Sequence, residues 1–345
     1  MKTGTNKGMK AAVIYNYGDP EVFQIEEVPE PTVGPDDLLI DVKASSVNPV
    51  DWKIRRGTQR GMIRYRLPWI LGLDVSGVVL AVGERVEGFA EGDEVFASPT
   101  HRRPGCYAER VAVAASMVAK KPPELSHEEA ASIPLVGLTA WACMAKRLQQ
   151  GPGQKVFIQA GSGGVGTFAI QLAKHYGAWV ATTCSPRNAQ LVRSLGADRV
   201  IDYRSQRFEQ VFAEEGLELD LVLDALGGAE RDAAFGVLKR GGRLASITSG
   251  LPGYSEKYGP NLGLLAMLGA TASFMIRGYA GGIRPASVLR SSSGAELAEI
   301  AALLSCGAIK PVIDRAFPMD EVAAAHAYME TGRARGKVVL SGWTS

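Results

Sequence analysis

The stretch Gly161-Ser162-Gly163-Gly164-Val165-Gly166 constrains the fold of this chain more than any other. It has the spacing Gly-x-Gly-x-x-Gly, follows the apolar run KVFIQA, and leads into a segment whose Val165, Phe168, Ala169, Leu172, Ala173 and Tyr176 fall on one helical face. Glycines let the backbone turn tightly and approach a pyrophosphate, whose charge is favoured by free amides at the helix start. The spacing alone is a weak signal and also suits a tight turn without a ligand; the strand before it and the helix after it favour a dinucleotide.

The surrounding rhythm agrees. KVFIQA, WVATTC, RVIDY, LDLVLDAL and RLASITS are apolar runs separated by helical patterns, which argues for a parallel sheet covered on both faces. ASVLR could add a sixth strand after a Gly-rich stretch at 251–284 with no readable period. From Met9 to about residue 120, short apolar runs broken by Gly, Pro and Asp predict an all-β module instead. Helices at about 294–305 and 319–330 and a last strand in GKVVLSG close the pattern. At 345 residues two domains are expected, because one hydrophobic core usually stops growing below that length. The fold class is α/β.

Charged residues are 21% of the chain and nearly cancel, to +2, so bulk charge points to no nucleic acid or other polyanion. Cys106, Cys143, Cys184 and Cys306 lie far apart, with no His at metal-ligand spacing, and predict a reduced chain with no metal. The longest apolar run, NLGLLAMLGATASFMI at 261–276, is interrupted by Gly and Ser, so no membrane span is expected. The polar start MKTGTNKG lacks a signal-peptide core, and the expectation is a cytoplasmic protein ordered from about Met9.

The choice of dinucleotide rests on residues 182–188. A site for NAD usually places a carboxylate about 20 residues past the glycine motif, to accept from the ribose hydroxyls. Here the window reads TTCSPRN and holds none. Ser185 can donate to a 2′-phosphate and Arg187 can neutralise it, which favours NADPH; Arg187 could equally be a solvated residue opening a helix. The other conspicuous stretch, SSVNPVDWK at 45–53, reads locally as a turn, through its Asn-Pro pair and following Asp51.

Together SSVNPVDWKIRRG, AGSGGVGTFAIQLAK, LGADRVIDY and RARGKVVL resemble the medium-chain dehydrogenase/reductase superfamily, most closely its zinc-independent quinone oxidoreductase group with the mitochondrial reticulon-interacting relatives. The resemblance implies a GroES-like catalytic domain over 9–125, a Rossmann NADPH-binding domain with a doubly wound parallel sheet over 126–290, and a return to the first domain over 291–345. Zinc-dependent relatives carry ligands at or near Asn48, Leu73 and Leu135, and residues of these types cannot hold zinc. It also implies cofactor contacts from Ser162, Gly163, Gly164 and Val165 to the pyrophosphate, and from Ser185 and Tyr203 to the adenosine phosphate. Thr139, Leu226, Gly227 and Thr248 would line the nicotinamide half, and Ser287 and Leu289 would contact the carboxamide. Arg333, Ala334 and Arg335 match a further cofactor segment; any of these late positions could be packing or surface instead.

Without a metal, the easier chemistry is hydride delivery to an already electrophilic carbon of a quinone or an α,β-unsaturated carbonyl. Charge developing on the carbonyl oxygen then needs a donor, and Asn48 is the first candidate because the matching segment lies beside the nicotinamide in the family. Asp51 is expected to order the turn, Trp52 and Lys53 to wall the pocket, and Tyr65 to be an alternative donor or an exposed surface residue. Two other readings stay open. One is an enoyl-thioester reductase using the basic loop His101-Arg102-Arg103; the other is an NADPH-binding sensor or partner protein with little turnover. A homodimer through residues 285–290 is the expected assembly.

Overall fold

The computed structural model describes residues 8–344. In chain order the strands are β1 (Gly8–Ile14), β2 (Phe23–Pro29), β3 (Asp37–Val47), β4 (Trp69–Ile70), β5 (Val75–Val82), β6 (Glu94–Ala97), β7 (Arg110–Ala114) and β8 (Val118–Lys120). They continue with β9 (Lys155–Ile158), β10 (Trp179–Cys184), β11 (Arg199–Asp202), β12 (Leu219–Asp224), β13 (Leu238–Ser246), β14 (Arg284–Ser287), β15 (Ile313–Phe317) and β16 (Lys337–Ser341).

The chain divides into two units. The first takes residues up to Leu135, then Ser292–Gly307 and the chain from Pro311 on; the second takes Val136–Ser291 with Ala308–Lys310. In the first, β2, β1 and β4 form a small sheet, while β15, β16, β3, β5, β6 and β8 follow one another in a larger one and β7 also pairs with β3. The C-terminal β16 runs antiparallel to β3, with Val338 opposite Val47. Apolar residues of β1, β3, β5 and β16 make a continuous core, including Ile14, Ile40, Val75 and Leu340.

The second unit is the doubly wound parallel sheet, in the order β11-β10-β9-β12-β13-β14. Neighbours reverse between β9 and β12, and that switch is where α/β sheets open a crevice at the carboxyl ends of their strands. Phe157 on β9 packs on Phe208 and Phe212, with ring centroids 4.9 and 5.2 Å away, and fixes the helix below the sheet.

Two local expectations change. SSVNPVDWK is not a free turn: Ser45–Val47 end β3, Asn48 is extended, and Pro49 opens a helix, Pro49–Arg55, where its fixed φ and missing N–H cost nothing. The unreadable stretch at 251–284 holds two helices, Leu251–Tyr258 and Pro260–Ala280, split at Gly259 with φ of 77°. Gly263, Gly269 and Ser273 do not break the second helix. Gly263 lets it cross the first, since a Cβ there would sit 2.7 Å from the Ser255 backbone. The 21-residue helix is long and apolar enough to cross a bilayer by length and composition, with mean hydropathy 1.3, yet little of it is buried.

Candidate functional site

In the second unit the glycine turn leaves β9 and caps the helix Gly164–His175, with Gly163 as its extended N-cap. A side chain at Gly161 would strike Thr182 Oγ1 on β10, at 2.0 Å, and one at Gly166 would strike the Ala160 carbonyl at 2.4 Å. Those two glycines are demanded by packing. Gly163 is different: only the Ala160 carbonyl comes near, at 3.4 Å, so its backbone faces open space where a pyrophosphate could approach.

Opposite, across the strand-order switch, buried Asp224 ends β12. Its Oδ1 accepts from the Leu226 and Gly227 amides at 3.0 and 2.8 Å, and its Oδ2 from Ser246 Oγ at 2.5 Å. Thr248 Oγ1 reaches the same carboxylate at 3.5 Å. Leu226, Gly227 and Thr248 are thus brought together, and Ser287 joins them on β14, in register with Ser246. Leu289 follows, largely exposed, and Thr139 is buried in the helix Pro134–Trp141. Asp224 escapes a reading of the sequence because an Asp at a strand end looks like turn chemistry.

At the end of β10, Ser185 is buried and Arg187 exposed in a short turn, while Tyr203 is exposed just past β11. Asn188 is buried and donates from Nδ2 to Ser162 Oγ at 2.9 Å, tying this loop to the glycine turn. Its Oδ1 is buried with no protein partner among the described residues, an open acceptor suited to a ribose hydroxyl. The residues of this turn fit a dinucleotide: an open glycine backbone, a helix N-terminus, and an acceptor held beside them.

In the first unit, Asp74 gathers a buried polar cluster. Its Oδ2 accepts from Ser46 Oγ at 2.6 Å, Asn48 Nδ2 at 2.8 Å and Lys337 Nζ at 3.3 Å, and its Oδ1 from the Leu135 amide at 2.7 Å. Lys337 also donates to Asn48 Oδ1 at 2.5 Å. Asn48, the expected oxyanion donor, is fully buried, and both ends of its amide are engaged inside the protein. Asp51 accepts from the Asn48 amide at 2.8 Å and so does order the helix start, but its Oδ1 is buried without a partner among the described residues. Burial pushes its carboxyl up to about 7.

Tyr65 is half-buried and stacks on Trp69 with ring centroids 4.6 Å apart. Burial raises its phenol well above the usual range, and the nearby Asp51 charge adds to this, so it stays a neutral O–H donor. The Lys53 ammonium and the Arg56 guanidinium both lie over the Trp52 ring, 5.5 and 5.6 Å from its centroid. Arg335 pairs with Asp314 at 3.4 Å; Arg333 is exposed beside Ala334 in the loop before β16. Ser76, His127 and Glu94 are ordered like a nucleophilic triad, at 2.8 and 3.4 Å, but Ser76 is fully buried and also reaches the Val95 carbonyl at 3.1 Å, leaving no room for a substrate.

Residues 34–123 match the alcohol dehydrogenase GroES-like domain, and residues 195–340 match the family described as zinc-binding dehydrogenase. The mitochondrial NAD(P)H oxidoreductase RTN4IP1 of Mus musculus is 37% identical over 96% of this chain and 89% of its own length. The chloroplastic NADPH-dependent alkenal/one oxidoreductase of Arabidopsis thaliana is 35% identical over 97% and 80%. The quinone oxidoreductase structure from Coxiella burnetii superposes with a TM-score of 0.86 at 31% identity, covering 97% of this chain and 99% of that one. The chain belongs to the quinone oxidoreductase-like group of the medium-chain dehydrogenase/reductase superfamily.

As a member of the medium-chain dehydrogenase/reductases it is an oxidoreductase built for a nicotinamide cofactor. The zinc of its zinc-dependent relatives does not fit here. Asn48 offers its one acceptor to Lys337, Leu73 has no donor atom, and the Leu135 amide is spent on Asp74. A buried ammonium in the same cluster would repel a metal cation. Among the described residues no group of three or more His, Cys, Asp or Glu could hold a metal.

Proposed function

We propose that this oxidoreductase takes NADPH and reduces a quinone or an α,β-unsaturated carbonyl without a metal. The observation that carries the reading is the Asp74–Asn48–Lys337 cluster, an internally satisfied network that engages Asn48 and the Leu135 amide, two of the positions at or near which zinc-dependent relatives place ligands. With no Lewis acid, an alcohol is a poor substrate, and an acceptor that is electrophilic by itself is the natural one. The relatives' names, alkenal/one and quinone oxidoreductases, support the same class.

When bound, the nicotinamide supplies the hydride. The chain's residues hold and orient it: Ser162, Gly163, Gly164 and Val165 at the pyrophosphate, Leu226, Gly227 and Thr248 at the nicotinamide half, and Ser185, Arg187 and Tyr203 at the adenosine phosphate. Asn188 would accept from the ribose, and Thr139, Ser287, Leu289, Arg333, Ala334 and Arg335 are the remaining proposed contacts. For the carbonyl oxygen, Tyr65 replaces Asn48 as the proposed donor, because its phenol stays protonated while the Asn48 amide is committed. Hydride addition leaves an anion with its charge on that oxygen, and solvent supplies the completing proton, to the α-carbon of an enone or to the oxygen of a quinone. A homodimer through β14, the edge strand of the parallel sheet, belongs to the same proposal, as does the cytoplasmic location.

The enoyl-thioester alternative needs free basic groups for a phosphate. Arg103 is already held by Asp37 in two bonds of 2.7 and 2.8 Å, which weakens it. The test is NADPH oxidation against a quinone, an enone and an enoyl thioester, with NADH in parallel. Turnover of the first two supports the reading; turnover of the thioester alone, or none with tight cofactor binding, overturns it.

A further inference from the structure

Resting on the enone-reductase reading above, we propose that Lys53 receives a carboxylate of the substrate, which is then an unsaturated keto acid. Lys53 is half-buried in the helix Pro49–Arg55, whose N-cap is Asn48. A lysine normally carries its charged head out to water. Here burial pulls the ammonium below the usual lysine range, and no carboxylate of the protein opposes that pull.

The buried cations of the first unit are otherwise matched. Arg55 pairs with Glu330, Lys121 with Glu94 at 3.1 Å, and Lys337 with Asp74 at 3.3 Å. Among the described residues the Lys53 ammonium has no ion pair or hydrogen bond, and meets only the face of the Trp52 ring. Arg56 lies over the same ring but is spent on Glu330 at 2.6 Å and Asp19 at 3.5 Å. Residues 52–69 contain no acidic side chain, and Asp51, two positions back on the helix, does not face Lys53. A desolvated charge with no counter-charge is costly, and an incoming anion removes that cost. One compact ammonium balances one carboxylate, whereas a phosphate dianion would leave negative charge in excess. With Tyr65 on the carbonyl oxygen and Lys53 on the carboxylate, a short acceptor is held at two points, which fixes its orientation for hydride delivery.

The experiment uses the full chain and a matched pair of enones, ethylideneacetone and acetylacrylate, in which a carboxylate takes the place of the terminal methyl. Acetylacrylate is expected to have the higher kcat/KM. Lys53→Met, with Lys53→Gln beside it, should cut that preference about 10- to 100-fold, chiefly through KM, as one charge-assisted contact is lost. A preference for the acid that survives in both variants overturns the proposal. So does an equal loss on both enones, which would place Lys53 at the reacting carbonyl or in packing alone. A second readout needs no turnover: levulinate, the saturated acid, should raise the melting temperature of the oxidised-cofactor complex of the unaltered chain and not of the variants. If neither enone is reduced, the reductase reading fails, and the levulinate melts still decide for Lys53: a shift lost in the variants supports its role, and no shift in the unaltered chain overturns it.

Discussion

Lys337 of β16 donates to Asn48 Oδ1 at 2.5 Å, joining two residues 289 positions apart, and both are buried beside Asp74. Removing the ammonium leaves the Asp74 carboxylate in the interior with only neutral donors. Lys337→Met is expected to lower unfolding free energy by about 3–5 kcal/mol in denaturant titration. Adding Asp74→Asn should recover part of that loss, because the stranded charge goes with it.

Asp51 should make stability depend on pH in an unusual direction for a carboxylate. Its folded value, about 7, lies above the ordinary 3.8, so the stability it contributes is complete below the ordinary value and fades as pH rises through about 7. The gap between the folded and ordinary values bounds the loss at about 4 kcal/mol. Thermal melts across that window should flatten in Asp51→Asn, whose side-chain oxygen still accepts from the Asn48 amide.

Two glycines of one motif should fail in different ways. Gly166→Ala drives a Cβ toward the Ala160 carbonyl, 2.4 Å away, and should cost about 1–3 kcal/mol of stability. Gly163→Ala meets that carbonyl only at 3.4 Å, so the fold should stand. Cofactor affinity should fall about tenfold or more as an amide contact to a charged group is lost, read by fluorescence titration.

Arg187→Glu should weaken NADPH by about 10- to 100-fold, the size of one charge-assisted contact, and leave NADH nearly unchanged. Equal losses for both would remove the phosphate role from Arg187.

Tyr65→Phe keeps the stack on Trp69 and deletes the phenol O–H. Turnover with an enone should drop about a hundredfold, the usual effect of one lost oxyanion donor, with little change in melting temperature.

The second unit is legible in the sequence because its signals are local. The glycine turn, the helical face after it and five of the strand runs each sit within a dozen residues, where periodicity works. The Asp74 cluster is not, since Ser46, Asp74, Leu135 and Lys337 meet only through sheet pairing over distances no local pattern spans. Asn48 stands between these cases: its place can be inferred from the sequence, but its hydrogen-bond partners, and so its chemistry, cannot. The stretch at 251–284 hides its helices because glycines that look like breakers are there to let Gly263 and Gly278 pack closely.

The pairing of β16 with β3 also sets an order of events during synthesis. Val136–Ser291 is one continuous piece of the second unit, with its six strands in hand before β16 emerges from the ribosome, so that sheet can form first. The first unit must wait for Lys337 to arrive and neutralise Asp74, which until then has no buried cation to meet. A nascent chain stalled before β16 should hold a formed second unit and an open, protease-sensitive first unit, and its last strand then acts as the clasp that completes that unit.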